Sequence, residues 1–211
     1  MCNLMSCVST PINEKPMYGG AQFTEYQNKV NQEFINSALE DGLTKEQASK
    51  EAVDFGWQYL RKKDYSTAIK RFNQGWLLNP QNPDVFYGFG DWYGFQNKYD
   101  QADSMFKIGL SIKPDHVEIM RDLAYNYNLK GMLLRKKHKY EESGGCFKSA
   151  IILLEKASSI DPQWGDIYLT WSASLMQLGH YEEALKKAEK AKALGSKLEE
   201  GYIEYLKSNL R

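Results

Sequence analysis

The sequence has few of the residues that most chemical sites need. Its 211 residues include three cysteines (Cys2, Cys7 and Cys146) and three histidines. The cysteines are too few and too scattered for a disulfide framework. No histidine has a cysteine or carboxylate at a spacing that would place a metal site or triad on one helix face, and no glycine-rich phosphate loop is present. These absences predict a non-enzymatic protein without metal or cofactor, unless an active site is shared with a partner.

Net charge and long apolar runs are also absent. Lysine plus arginine equals aspartate plus glutamate, at 27 each, so no general field attracts nucleic acid or anionic lipid. No run approaches the 18 apolar residues typical of a membrane-spanning helix. The sequence therefore predicts neither a nucleic-acid-binding protein nor a transmembrane one, and it leaves the oligomeric state open.

One 34-residue unit occurs twice in succession, as residues 49–82 and 83–116. A fixed period of this length is typical of a repeat array. Small residues let two helices cross closely, aromatic residues fill the space between them, and a proline ends each second helix. Both copies carry these residues at equivalent positions: Gly56 and Gly90, Tyr59 and Tyr93, Ala68 and Ala102, Phe72 and Phe106, Gly75 and Gly109, Pro80 and Pro114.

The repeated pattern resembles the tetratricopeptide repeat (TPR), a helical hairpin. About three quarters of the chain carries it. The resemblance implies an all-α, right-handed superhelical solenoid of antiparallel helix pairs, with capping helices over 23–42 and 197–211. Within 43–196 we expect four units, at 49–82, 83–116, 117–164 and 165–198.

The third unit is longer than the others. Pro114 and Pro162 are 48 residues apart, which is 14 more than the repeat length. Fourteen residues are close to four helical turns, so two additional turns in each helix would keep both apolar faces in register. Gly144 and Gly145 favour the alternative, a loop over about 136–145. The sequence leaves both arrangements open.

Residues 1–22 predict a flexible segment, because prolines and glycines interrupt them without any apolar period. Within this segment, residues 4–7 (Leu-Met-Ser-Cys) resemble the lipobox of bacterial lipoproteins. That resemblance implies a lipidated Cys7 and a location in the bacterial cell envelope. Only six residues precede Cys7, too few for a signal peptide, so this interpretation requires that the recorded start is too late. The alternative is a cytoplasmic protein with an incidental cysteine.

In TPR proteins the first helix of each pair lines an inner groove. Members that bind acidic peptide ends use lysine and asparagine where this chain has Val53 and Trp57, so that activity is not carried over. We expect a protein-interaction module that binds a peptide or a partner protein, or alternatively a lipid-anchored scaffold or assembly factor. A competing interpretation packs Trp57 and Tyr87 inside the array. The candidate groove residues are Trp57, Arg61, Tyr87, Asp91, Phe95, Arg121, Tyr125 and Asn128.

Overall fold

The computed structural model describes residues 11–40 and 42–210, and it contains no β-strand over those ranges. Two short 3₁₀ helices, Ile12–Glu14 and Pro16–Gly20, come first. Ten α-helices follow: α1 Glu25–Ala38, α2 Lys45–Arg61, α3 Tyr65–Leu78, α4 Pro83–Gly94, α5 Tyr99–Ile112, α6 Val117–Lys136, α7 Tyr140–Ile160, α8 Gly165–Leu178, α9 Tyr181–Ala193 and α10 Tyr202–Ser208.

The chain divides into two compact units, the first ending at Trp92 and the second beginning at Tyr93. The first unit contains α1 to α3 and most of α4, and the second contains α5 to α10. Within the units, neighbouring helices pack as pairs, α2 with α3, α6 with α7 and α8 with α9. Short turns make the helices of each pair antiparallel. The predicted all-α fold of helix pairs is confirmed.

Four of the turns that join two antiparallel helices share the same backbone feature. In each, a residue in the left-handed conformation follows the first helix of the pair. The following residue donates its N–H to a carbonyl five positions back, as in the Schellman motif. These bonds are 3.0–3.1 Å long and join Asp64 to Tyr59, Lys98 to Tyr93, Lys139 to Leu134 and His180 to Leu175. The left-handed residues are Lys63 (φ 61°), Asn97 (φ 59°), His138 (φ 61°) and Gly179 (φ 82°).

The spacing of these left-handed residues locates the insertion of the third unit. Asn97 follows Lys63 by 34 residues, whereas His138 follows Asn97 by 41 and Gly179 follows His138 by 41. Each interval of 41 contains seven additional residues, or two helical turns. Accordingly, α6 has 20 residues and α7 has 21, against 14 in α5 and in α8. The glycines at 144–145 lie within α7, so the structure has two longer helices rather than a loop.

Close contact between glycine and phenylalanine packs the first unit. The Phe72 side chain of α3 is fully buried. Gly56 of α2 and Gly88 of α4 both face its ring, and a Cβ atom on Gly56 would lie 2.5 Å from a ring carbon. Because real Cβ atoms need about 3.5 Å or more to a carbon neighbour, any side chain at these glycines would displace the ring.

The second unit has a core of small and branched residues, and here too a glycine packs directly against a phenylalanine ring. A Cβ atom on Gly131 of α6 would lie 2.7 Å from the ring of Phe147 on α7. Small side chains on α7 let α6 and α8 approach it closely. The core cluster of α6, α7 and α8 consists of Val117, Met120, Ala124, Ala150, Leu154, Ala157 and Ile167.

The helices at the two ends cover core residues to different extents. In α1, Phe34 and Ala38 pack against buried residues of α2 and α3, while the apolar side chains of Tyr26 and Val30 are exposed. In α10, Leu206 is fully buried against α8 and α9. The apolar face of α1 therefore contacts the first unit only through its C-terminal half.

Residues 12–20, which belong to the segment predicted to be flexible, lie against α3 in the structure. The Asn73 side chain of α3 donates hydrogen bonds of 2.9 Å to the carbonyl oxygens of Asn13 and Lys15. Lys70 of α3 forms an ion pair of 2.9 Å with Glu14. Turn-forming composition does not exclude order when polar side chains of a neighbouring helix bind the backbone.

Cys7 lies outside the described residues, as do the rest of 1–10, so the lipid anchor and the envelope location stay predictions from the sequence. Among the described residues, no helix combines the length and apolar character needed to cross a membrane.

Candidate functional site

The predicted groove residues are divided between the two units. Trp57, Arg61, Tyr87 and Asp91 belong to the first unit. The second contains Phe95, Arg121, Tyr125 and Asn128.

In the first unit, the Trp57 side chain packs against the core on one side and is partly exposed to solvent on another. Its ring centroid is 5.4 Å from that of buried Phe72 and 4.8 Å from that of Tyr87. The side chains of Trp57, Tyr87 and Asp91 are half-buried, and Arg61 is exposed in the last turn of α2. The two interpretations of Trp57 are therefore compatible, since one part of the ring packs on Phe72 while another part meets solvent.

In the second unit, α6 and α8 form the walls of a pocket of about 500 Å³. Arg121 and Tyr125 are four residues apart on α6 and so share one helix face. Residues 197–202, which precede and begin α10, close one side of the pocket. The lining residues are Arg121, Tyr125, Asp166, Leu169, Thr170, Ala173, Met176, Lys197, Glu199 and Tyr202.

Arg121 is the cationic group that the fold holds most firmly in this pocket. Its Nη1 atom is 2.5 Å from Oδ1 of Asp122, and its guanidinium carbon lies 5.1 Å from the centroid of the Trp164 ring. The Nε atom is buried and has no hydrogen-bond partner among the described residues. A guanidinium held by a carboxylate and an aromatic face loses little freedom when it donates to a further acceptor.

The remaining lining residues make the pocket apolar and close to neutral. Tyr125 is 52% exposed, and Leu169 and Met176 are half-buried beside it. Asp166 accepts a hydrogen bond of 2.6 Å from Ser196, while Lys197 and Glu199 contribute opposite charges. Such a lining suits an apolar group with polar groups at its ends.

Tyr202 forms an uncharged wall of the pocket. Burial raises the pKa of Tyr202, and its hydroxyl lies 2.9 Å from that of Ser172 on α8. The phenol therefore stays protonated at neutral pH, and its ring adds apolar surface to the site.

Asn128, another of the predicted groove residues, does not line this pocket. It is only 5% exposed, and its amide nitrogen donates to the carbonyl of Thr170 at 3.3 Å. Its amide oxygen accepts a hydrogen bond of 2.9 Å from Ser174. Asn128 therefore holds α6 against α8. Phe95 follows the last residue of α4, is 59% exposed and is absent from the pocket lining.

Sequence reasoning missed the side of the pocket formed by Lys197, Glu199 and Tyr202. These residues follow the last repeat landmark, so the repeat period carries no information about them. The signal that was available is Gly195, a left-handed residue (φ 88°) that ends α9 and turns the chain back.

The described residues contain no group of three or more histidine, cysteine or acidic side chains arranged to hold a metal ion. Cys146 is half-buried in α7, and desolvation by burial raises the pKa of its thiol, which lowers its nucleophilic reactivity. His138 lies in the α6–α7 turn, where Nδ1 is 3.0 Å from the hydroxyl of Tyr140.

No protein-family model matches the chain, and no curated protein matches it. Solved structures do. The crystal structure of TTC0263, a thermophilic TPR protein of Thermus thermophilus, superimposes with a TM-score of 0.62 at 20% identity, over 70% of this chain and 74% of that one. The chain has a TPR-like fold.

Two further similar structures are of MamA. A fragment from Desulfovibrio magneticus RS-1 gives a TM-score of 0.53 at 18% identity, over 70% of this chain and 75% of that one. Another MamA crystal structure gives 0.52 at 15% identity, over 82% and 96%. In the TPR-like fold, α6 and α8 are the first helices of two successive pairs, so the pocket of the second unit lies where the repeat pattern predicts a groove.

Proposed function

We propose that the chain is a non-enzymatic protein-interaction module that binds a peptide segment in the pocket between α6 and α8. The observation that carries this proposal is the lining itself, in which exposed Tyr125 and half-buried Leu169 and Met176 lie beside the guanidinium-bearing side chain of Arg121, which is 25% exposed. Solvent-exposed apolar side chains around one fixed polar donor are typical of recognition sites.

The expected ligand is a segment with an apolar side chain followed by an exposed main-chain carbonyl. The apolar side chain would occupy the space between Tyr125 and Met176, and the carbonyl would accept from Arg121. Because Asp166 and Lys197 carry opposite charges, the site should not prefer a strongly acidic or basic peptide. A single pocket of this size is consistent with an affinity on the order of micromolar.

The surface around Trp57 and Tyr87 in the first unit is a separate part of the proposal. Its two aromatic rings, which are in contact and tilted by 56° to one another, and the neighbouring half-buried Asp91 suit an apolar anchor beside a basic residue. The pocket of the second unit remains the primary site because it is concave.

Peptides selected from a random library on the full-length chain, then titrated by calorimetry, test the pocket. Tyr125→Ala should weaken binding at least tenfold, as loss of a central aromatic contact does. It should hardly change the melting temperature, because about half of the side chain is already exposed. Ile152→Ala on α7 is the matched control, since Ile152 is 68% exposed and lies outside the pocket. Equal affinities for wild type and Tyr125→Ala would refute the proposed site.

A further inference from the structure

One face of α3 is covered by a segment from the N-terminal part of the same chain. Ser66, Lys70, Asn73 and Trp76 are spaced by three or four residues and therefore form one stripe along the helix. We call this the α3 stripe. Residues 12–20, which we call the N-terminal strap, cover it.

The strap is what distinguishes α3 from the equivalent helix of the next repeat. Thirty-four residues later, α5 carries Asp100, Ser104 and Lys107 at the positions of Ser66, Lys70 and Asn73. All three α5 residues are exposed, whereas Asn73 is fully buried. A polar stripe on a second helix is ordinarily solvated, so the burial of Asn73 requires a specific partner.

The Asn73 side chain binds the main chain of the strap rather than its side chains. Its Nδ2 atom donates to the carbonyl oxygens of Asn13 and Lys15, each at 2.9 Å. These contacts do not depend on the strap side chains. Its Oδ1 atom is buried and has no hydrogen-bond partner among the described residues. The side-chain amide can therefore accept one more bond, which a peptide N–H would supply.

Strap side chains add selectivity. Glu14 accepts hydrogen bonds from Lys70 at 2.9 Å and from Ser66 at 2.8 Å, and these contacts hold the pKa of Glu14 below its usual value. Pro16 is buried. The Tyr18 ring lies 6.4 Å from that of Trp76, and burial raises the pKa of Tyr18 to about 12. The strap thus presents an acidic residue, a buried proline two positions later and an aromatic residue two positions after that.

The strap is bound in a strained form. Met17 and Tyr18 have φ values of 50° and 55°, in the left-handed region that disfavours residues with a side chain. This strain offsets part of the gain from the contacts with α3. The strap is nevertheless favoured because residues 21–24 connect it directly to α1, which gives it an effective concentration on the order of millimolar.

We propose that the α3 stripe is a peptide-recognition site for segments of the pattern Glu-x-Pro-x-aromatic that can adopt the turned backbone of the strap, and that the strap is its intramolecular ligand. A segment of the same chemistry supplied by another molecule competes with the strap for Asn73, Lys70 and Trp76. The first unit thereby has a binding site that opens only when such a segment is abundant.

A synthetic peptide of residues 11–22, labelled with a fluorophore, tests this site on the full-length chain. Wild type should bind it weakly, because the strap fills the site. A chain with Glu14→Lys and Tyr18→Ala, whose strap no longer fits while the stripe is unchanged, should bind it at least tenfold more tightly. Adding Asn73→Ala should abolish that gain, whereas adding Lys107→Ala, the equivalent position on α5, should not. The proposal is wrong if the strap variant, with an unchanged circular dichroism spectrum, binds the peptide no more tightly than wild type.

Hydrogen exchange on the wild-type chain gives an independent readout that needs no variant. The amides of Lys15, Tyr18 and Ala21 are hydrogen-bonded within the strap. Excess unlabelled peptide should speed their exchange, and a peptide with lysine in place of Glu14 should not. Unchanged exchange at millimolar peptide would also overturn the proposal.

Discussion

Replacing Gly88 with alanine should destabilise the first unit, although alanine is the better helix former. A Cβ atom at position 88 would lie 2.5 Å from the Cδ1 atom of the buried Phe72 ring, and Gly56 closely approaches the same ring atoms. Overpacking of this kind costs about 1–3 kcal/mol. The helix propensity of alanine returns roughly 1 kcal/mol. We therefore expect Gly88→Ala to lower the free energy of unfolding by up to about 2 kcal/mol.

Gly145→Ala on α7 is the matched control, because no atom lies within 4 Å of the added Cβ and the residue is exposed. Here only helix propensity acts, and stability should rise by up to about 1 kcal/mol. Urea denaturation followed by circular dichroism measures both changes. In a double-mutant cycle, Phe72→Leu should cost less in the Gly88→Ala background than in wild type. Changes of the same sign at both glycines, or strict additivity with Phe72→Leu, would refute the packing argument.

Three further predictions concern single side chains. Trp57→Ala should cost about 2–3 kcal/mol in a thermal melt, because part of its ring packs on a buried phenylalanine; an unchanged melting temperature would make it a purely surface residue. Replacing the three lysines of 136–139 with glutamine should leave the free energy of unfolding unchanged, because solvent-exposed charges contribute little. Arg135→Ala should lower it by about 1–2 kcal/mol, since Arg135 donates hydrogen bonds to Gln177 at 2.7 and 2.9 Å. Equal effects of the two changes would contradict this distinction between exposed lysines and a bonded arginine. Burial raises the pKa of Asp103, so the stability contributed by its protonated form is lost as pH rises through that pKa. Asp103→Asn should flatten the pH dependence of urea melts above about pH 4, the ordinary pKa of an aspartate, and an identical profile would contradict the assignment.

The helix pairs were predictable because their determinants recur at a fixed spacing. Period and residue size together indicated Gly56 and Phe72 as contacts between helices. Two residues of the turns were not predictable in the same way. Lys63 and His138 adopt the left-handed conformation without being glycine, so composition does not mark them, and the division of the 14 inserted residues between α6 and α7 became clear only from their positions.

The N-terminal strap shows where composition misleads. Proline and glycine between residues 11 and 20 predict an irregular chain, and the backbone there is indeed irregular. Its order comes from Asn73, whose position on α3 looks like an ordinary solvated one until the strap is seen to cover it. A long-range contact of this kind has no periodic signature in the sequence.

The candidate pocket was predictable only where repeat positions transfer. Arg121 and Tyr125 lie in it as the pattern indicated. Asn128 lies outside the pocket because Thr170 and Ser174 of α8 approach it closely and form hydrogen bonds with its amide. These contacts depend on how two helices cross and cannot be inferred from either helix alone. Tyr202 was missed because it follows the repeats.

Site-specific photo-crosslinking tests the central claim, that the α6–α8 pocket binds a peptide. The photoreactive residue p-benzoylphenylalanine would replace Tyr125 in one full-length chain and Tyr140 in another, and each would be irradiated with a labelled peptide from the library selection. Both side chains are more than half exposed, but only Tyr125 lines the pocket. Our account predicts an adduct at position 125 that unlabelled peptide suppresses, and none at position 140. Equal adducts at both positions, or an adduct at position 140 alone, would contradict it.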